Sequence, residues 1–169
     1  MRGTLNAAFL LGAMGVAATM PVNKTSHEDS ERAAIQKVLD AHGNAWTKGD
    51  AVAAAAVMTE DADWVSGGGR VYEGRAAIEA AHREWLSGDA RGSRHTHPGT
   101  PKIRFIRHDV AIVDGDSYTG SLPDEQGEEM PAVLSRYTAV FVKDGDSWKV
   151  AAFRSLPQLK SKLTLADIH

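Results

Sequence analysis

The chain has no cysteine, which excludes disulfides, thiolate metal sites and a cysteine nucleophile. It also lacks a surplus of charge of either sign: the formal net charge is −3, with Lys/Arg and Asp/Glu interspersed. Without a basic stripe there is nothing to draw nucleic acid, and without a polybasic run nothing to hold a membrane surface. A dinucleotide fingerprint is missing too. Gly67-Gly68-Gly69 lacks the G-x-G-x-x-G spacing and opens no helix, so neither NAD nor flavin is expected, and no other cofactor. The apolar stretch Ala7 to Ala18 falls short of the about 20 residues of a permanent bilayer anchor.

That stretch has another use. It follows a single positive charge at Arg2 and ends in the small residues Val16-Ala17-Ala18, the pattern of a cleavable export signal. Residues 1–20 are therefore expected to be removed from a periplasmic or secreted protein. Residues 21–27 read as a polar linker, residues 28–156 as one domain and residues 157–169 as a loosely held tail.

Within the domain, Ile35, Val38, Leu39, Ala45 and Trp46 fall on the i, i+3, i+4 rhythm of one buried helix face, which includes His42. Thr25-x-x-Glu28 has capping-box spacing, so this helix is expected to start near residues 26 to 28. Gly49 ends it and Asp50 caps a short Ala/Val-rich helix. The alternation of 61–66, closed by three glycines, predicts a tight strand pair. A third helix follows over 76–86, with Ile78, Ala81 and Trp85 on one face, and 91–101 reads as a polar connection holding His95 and His97. The period then drops to 2 over 102–107, 110–120, 132–143 and 147–156, joined by turns that include Pro123 to Gly127.

Ala45-Trp46, Gly49-Asp50, Glu60-Asp61-Ala62, Gly74-Arg75-Ala76-Ala77-Ile78, Asp109-Val110-Ala111 and Trp148-Lys149-Val150 carry a resemblance to the nuclear transport factor two-like superfamily, and within it to the SnoaL-like and SgcJ/EcaC-like proteins. The resemblance implies an α+β fold, with a cone-shaped antiparallel sheet of about six strands wrapped on three N-terminal helices. It also implies a pocket-facing register: Asp114, Asp116 and Tyr118 inward on one strand, Arg136 and Thr138 on the next, Ala152 and Arg154 on the last. The superfamily hosts isomerases, cyclases, dehydratases and plain binding modules on one scaffold. Where ketosteroid isomerase keeps its base, oxyanion-binding tyrosine and second acid, this chain has Ser66, His42 and a position near Thr138, so that route to isomerisation is not expected.

An inward carboxylate needs a partner, and adjacent strands bring Asp116 within reach of Arg136. Asp116 or Asp114 is the candidate base, with His42 or Tyr118 as proton partner and Arg136 and Arg154 stabilising negative charge. A lone histidine on an apolar helix face is more often a hydrogen-bonded core residue than a catalyst, and that is the first reading of His42. Trp46, Trp64, Ser66 and Tyr72 are candidate ligand contacts, with Tyr118 and Thr138, while Trp85 reads as core. His95-x-His97 has the spacing of strand-borne metal ligands, but no third ligand is evident and no metal is expected. The expected function is binding of a small carbonyl- or carboxylate-bearing molecule with acid–base chemistry. The alternative is a non-catalytic module in which the Asp–Arg pair is structural. Val133, Tyr137 and Phe141, read as an apolar outer stripe, give a motive for a homodimer.

Overall fold

The computed structural model describes residues 24–121 and 133–158. The expected export signal, most of the expected tail and the Pro123 to Gly127 turn lie outside the described residues. Among those residues no helix is long and apolar enough to cross a membrane.

Helix α1 (Lys24–Thr47) opens inside the expected linker. It presents Ile35, Leu39, His42 and Trp46 as one buried stripe. Gly49, with φ 72, releases the chain. The Asp50 carboxylate then accepts the Ala53 N–H at 2.9 Å, which starts α2 (Ala51–Ala55). Strands β1 (Met58–Val65) and β2 (Val71–Glu73) form the expected hairpin, and α3 (Arg75–Ser87) buries Ile78, Ala81 and His82.

Five more strands follow: β3 (Ser93–Thr96), β4 (Lys102–Arg107), β5 (Val110–Ser121), β6 (Val133–Asp144) and β7 (Ser147–Pro157). They join the hairpin in one curved, unclosed seven-stranded sheet in the order β2-β1-β7-β6-β5-β3, with β4 also on β5. All pairs are antiparallel except β1 with β7, which is parallel. The inner face of the sheet and the helices share one core, in which Ile35, Leu39 and Ile78 join Val113, Tyr137, Phe141 and Phe153. At its far end the Glu31 carboxylate accepts from Lys143 Nζ at 2.7 Å and Trp148 Nε1 at 2.6 Å, fastening α1 to β6 and β7.

Three expectations are corrected. The polar connection over 91–101 contains a strand, β3, paired with β5. The facing of β5 and β6 is the reverse of the one expected: Val113 and Ser117 with Ser135, Tyr137 and Ala139 are buried, while Asp114, Asp116 and Tyr118 with Arg136 and Thr138 belong to the opposite, outer face. Burying charge costs more than burying aromatic and small residues, and a slip of one residue exchanges the faces. On β7 a bulge sets the phase, since Val140 pairs Ala152 while Phe141 pairs Val150. The buried residues accordingly shift from Trp148 and Val150 to Phe153, and Ala152 and Arg154 turn outward. The apolar stripe that motivated a homodimer thus belongs to the inner face: Tyr137 and Phe141 are 1% and 0% exposed, while Val133, at 50%, stays open to solvent where it lines a cavity on that face.

Candidate functional site

Between the concave face of the sheet and helices α1 and α3 lies a cavity of about 540 Å³. Its apolar lining is mainly aromatic, with Trp46 from α1, Trp64 from β1, Trp85 from α3 and Phe153 from β7, beside Val133 and Pro157. The Trp64 and Phe153 rings lie 4.6 Å apart, and Trp85 stands 6.0 Å from Trp46 and 6.2 Å from Trp64. The polar lining comes from Ser66, Ser117, Thr119, Ser135 and Ser155, together with the imidazole of His95. Among the described residues no lysine, arginine or carboxylate lines this chamber. Its chemistry suits a neutral, largely apolar ligand carrying a few hydrogen-bonding groups.

His95 is one of four histidines gathered against the chamber. Pairing of β3 with β5 sets His95 opposite Thr119, whose Oγ1 lies 2.7 Å from His95 Nδ1. The His95 backbone N–H donates to Thr47 Oγ1 at 3.1 Å, docking the end of α1 on this strand. The approach is close because residue 43 is glycine; a Cβ there would stand 2.8 Å from the His95 carbonyl oxygen. His42 thereby comes to 5.2 Å from His95 and 5.8 Å from His97, ring centre to ring centre. His82 on α3 lies 5.5 Å from His42 and 4.9 Å from Trp64.

Burial holds these rings neutral. It pushes His95 down from 6.5 to about 3, with the nearby His97 and His82 adding to the effect. It pushes His82 to about 4, and His97 also to about 4 against an opposing pull from Asp40. His42 lies well below its ordinary value, first from burial and then from the other three rings. Yet the nitrogens are poorly satisfied: Nε2 of His42 and of His95, and both nitrogens of His82 and His97, are buried without a hydrogen-bond partner. One ring nitrogen each from His42, His95 and His97 lie within 4.8 Å of one another, so among the described residues this trio is the set that could hold a metal ion. Helix α1 thus brings His42 to the His95-x-His97 pair as a third imidazole.

The sequence-derived candidates divide between the two sides of the sheet. His42, Trp46, Trp64 and Ser66 are at the chamber or its floor, and Tyr72 packs edge-on against Trp85 at 5.5 Å. Asp116 does pair with Arg136, at 3.1 Å, but their side chains are 35% and 66% exposed. Asp114 accepts from Thr138 Oγ1 at 2.6 Å on the same outer face. Arg154 pairs with Asp63 rather than joining Asp116. None of Asp114, Asp116, Tyr118, Arg136, Thr138 or Arg154 lines the chamber. The residues missed include His82, Ser117, Thr119, Ser135, Phe153 and Ser155, and Trp85, read as core, lines the chamber instead. His82 was findable, because it falls between Ala81 and Trp85 on the apolar stripe of α3.

Comparisons with known proteins agree with this geometry at the level of fold. The SnoaL-like domain pattern matches residues 28–154. Among curated proteins, none matches the chain. The solved structures it resembles include a protein of unknown function from Mycobacterium tuberculosis, with TM-score 0.72 and 18% identity over 88% of this chain and 81% of that one. A proposed scytalone dehydratase from Novosphingobium aromaticivorans has TM-score 0.68 and 19% identity, over 80% of this chain and 89% of that one. The type 3 hexachlorocyclohexane dehydrochlorinase of Novosphingobium barchaimii has TM-score 0.68 and 17% identity, over 80% of this chain and 92% of that one.

Proposed function

Since the chain belongs to the SnoaL-like domain family, we propose that it binds a small neutral molecule in the tryptophan-lined chamber and moves a proton on it, in an isomerase- or dehydratase-type reaction. The observation that carries this is His95: among the described residues it is the one titratable side chain in the chamber lining, with Nδ1 held by Thr119 and Nε2 unpartnered. Nε2 is buried in the free protein, so a small shift of the ring brings a proton acceptor to a ligand C–H or O–H, while the serine hydroxyls can hold a carbonyl or hydroxyl oxygen. The resemblance to a dehydrochlorinase and a proposed dehydratase supports elimination or isomerisation over redox chemistry. A carboxylate-bearing ligand loses its support, because Arg136 and Arg154 are outside the lining.

The test uses 2-naphthol as ligand and 1-tetralone as a proton-exchange probe. Quenching of tryptophan fluorescence by 2-naphthol should saturate, and 2-naphthoate should bind at least about tenfold more weakly, the cost of desolvating an unpaired charge. Exchange of the α-hydrogens of 1-tetralone into D₂O, followed by NMR, should exceed the buffer rate and fall to it in His95→Gln. Saturable 2-naphthol binding with exchange no faster than buffer would support the second reading, a binding module without turnover. That reading draws on the pKa of about 3 at His95, which makes the free imidazole a weak base.

A further inference from the structure

We propose that His42, His95 and His97 bind one divalent transition-metal ion of the Zn²⁺ or Co²⁺ class at the edge of the chamber. Six ring nitrogens of the histidine cluster are buried without a partner, and each orphaned polar group of this kind costs about 1–3 kcal/mol. An ion bonded to three of them uses three of those lone pairs at once.

The geometry is close to what an ion needs. Imidazole nitrogens bonded to zinc at about 2.1 Å sit roughly 3.4 Å from one another. Those of the trio already lie within 4.8 Å, so modest tilts of the rings complete the set. The trio contains neither thiolate nor carboxylate, which points away from Mg²⁺ and Ca²⁺ and toward ions that favour neutral imidazole. Burial keeps the rings unprotonated at neutral pH, as ligands must be. Thr119 supplies the outer contact: with the Nδ1 proton of His95 donated to its Oγ1, at 2.7 Å, the Nε2 lone pair of His95 is free for the metal.

A route in also exists. A second cavity, of about 220 Å³, is bounded by Asp40, Asn44, His95 and His97, so the far side of the pair opens beside a carboxylate that attracts cations. Three histidines leave a fourth position for water or for a ligand atom. Here the inference rests on the function proposed above: a metal-bound hydroxide, formed with a water pKa of about 7 in three-histidine zinc sites, is a better base than free His95. Taking up the ligand's proton returns it to metal-bound water, with no oxidant or reductant involved.

The experiment is titration of the chelator-treated full-length protein with Co²⁺, read by visible absorption. One equivalent should give the intense d–d bands of four- or five-coordinate cobalt, and Zn²⁺ should bleach them. His97→Gln should weaken cobalt binding by about 100-fold or more, and Thr119→Val by about 10–100-fold, the range for outer-shell partners. Both variants should keep the near-UV circular dichroism of the parent, and if His97→Gln does not fold, Thr119→Val decides. Weak octahedral bands only, or an affinity that neither variant changes, would overturn the site and leave ordered water or a surface histidine as the explanation. Quenching by 2-naphthol on the same samples separates the two proposals. Saturable quenching without a cobalt site sinks the metal alone, and a cobalt site without quenching sinks the chamber reading alone.

Discussion

At the scale of single residues, Gly43 decides how near the first helix comes to the third strand. Alanine at a helix position gains about 1 kcal/mol over glycine from propensity. Here the added Cβ would stand 2.8 Å from a backbone carbonyl, that of His95, and backbone cannot swing aside as a side chain can. Overpacking of this sort costs about 1–3 kcal/mol, so the strain wins. Gly43→Ala should lower the urea midpoint and loosen the Thr47 hydroxyl from the His95 N–H, now 3.1 Å away. An unchanged or raised midpoint would mean that α1 and β3 are not in this contact.

At the scale of elements, the faces of the strands separate what the sequence made legible from what it did not. The three helices, the glycine hairpin and four of the later strands are readable because apolar spacing and turn residues agree. So is the cross-strand pairing of Asp116 with Arg136, since it depends only on register. Which face is interior was misread because both faces of β5 and β6 mix polar and apolar residues. The weighing that decides it puts the two aspartates and Arg136 in water and Tyr137 and Phe141 inside. Strand β3 was illegible for another reason. Ser93 to Thr96 has no apolar side chain, and its extended form comes from β5, a partner some twenty residues later in the chain. The histidine cluster was hidden for the same cause, as its members come from α1, α3, β3 and the residue that follows β3, and only the tertiary fold unites them. The outer pair now has a definite expectation. An exposed ion pair on a sheet surface adds little, so Asp116→Asn should leave the melting temperature, 2-naphthol affinity and tetralone exchange unchanged. A lost activity in a well-folded Asp116→Asn protein would return the catalytic role to the outer face.

At the scale of the whole molecule, the buried histidines link folding to pH. In the unfolded chain each titrates near 6.5, whereas in the fold His82 does so only at about 4 and His95 at about 3. Between those values the unfolded state binds the extra protons, so stability is full above pH 6.5 and declines as pH falls toward the folded values. Each such group removes about 1.4 kcal/mol per pH unit within that window. His42 and His97 shift the same way, and four groups titrating together would reach at most about 5.6 kcal/mol per unit, at about 1.4 kcal/mol each. Against a total of about 5–15 kcal/mol for a domain, this is enough to unfold the chelator-treated protein well before its carboxylates are protonated. Glu31 adds to the decline only lower down, because its bonds to Lys143 and Trp148 hold its pKa below the ordinary carboxylate value. Urea unfolding at a series of pH values should show the steepest loss between about pH 6 and 4.5, the span between the unfolded and folded histidine values. His82→Gln, which replaces a titrating ring by a neutral amide, should make that slope shallower. A stability that stays level down to pH 4 would mean that the four rings are not buried together as one neutral cluster.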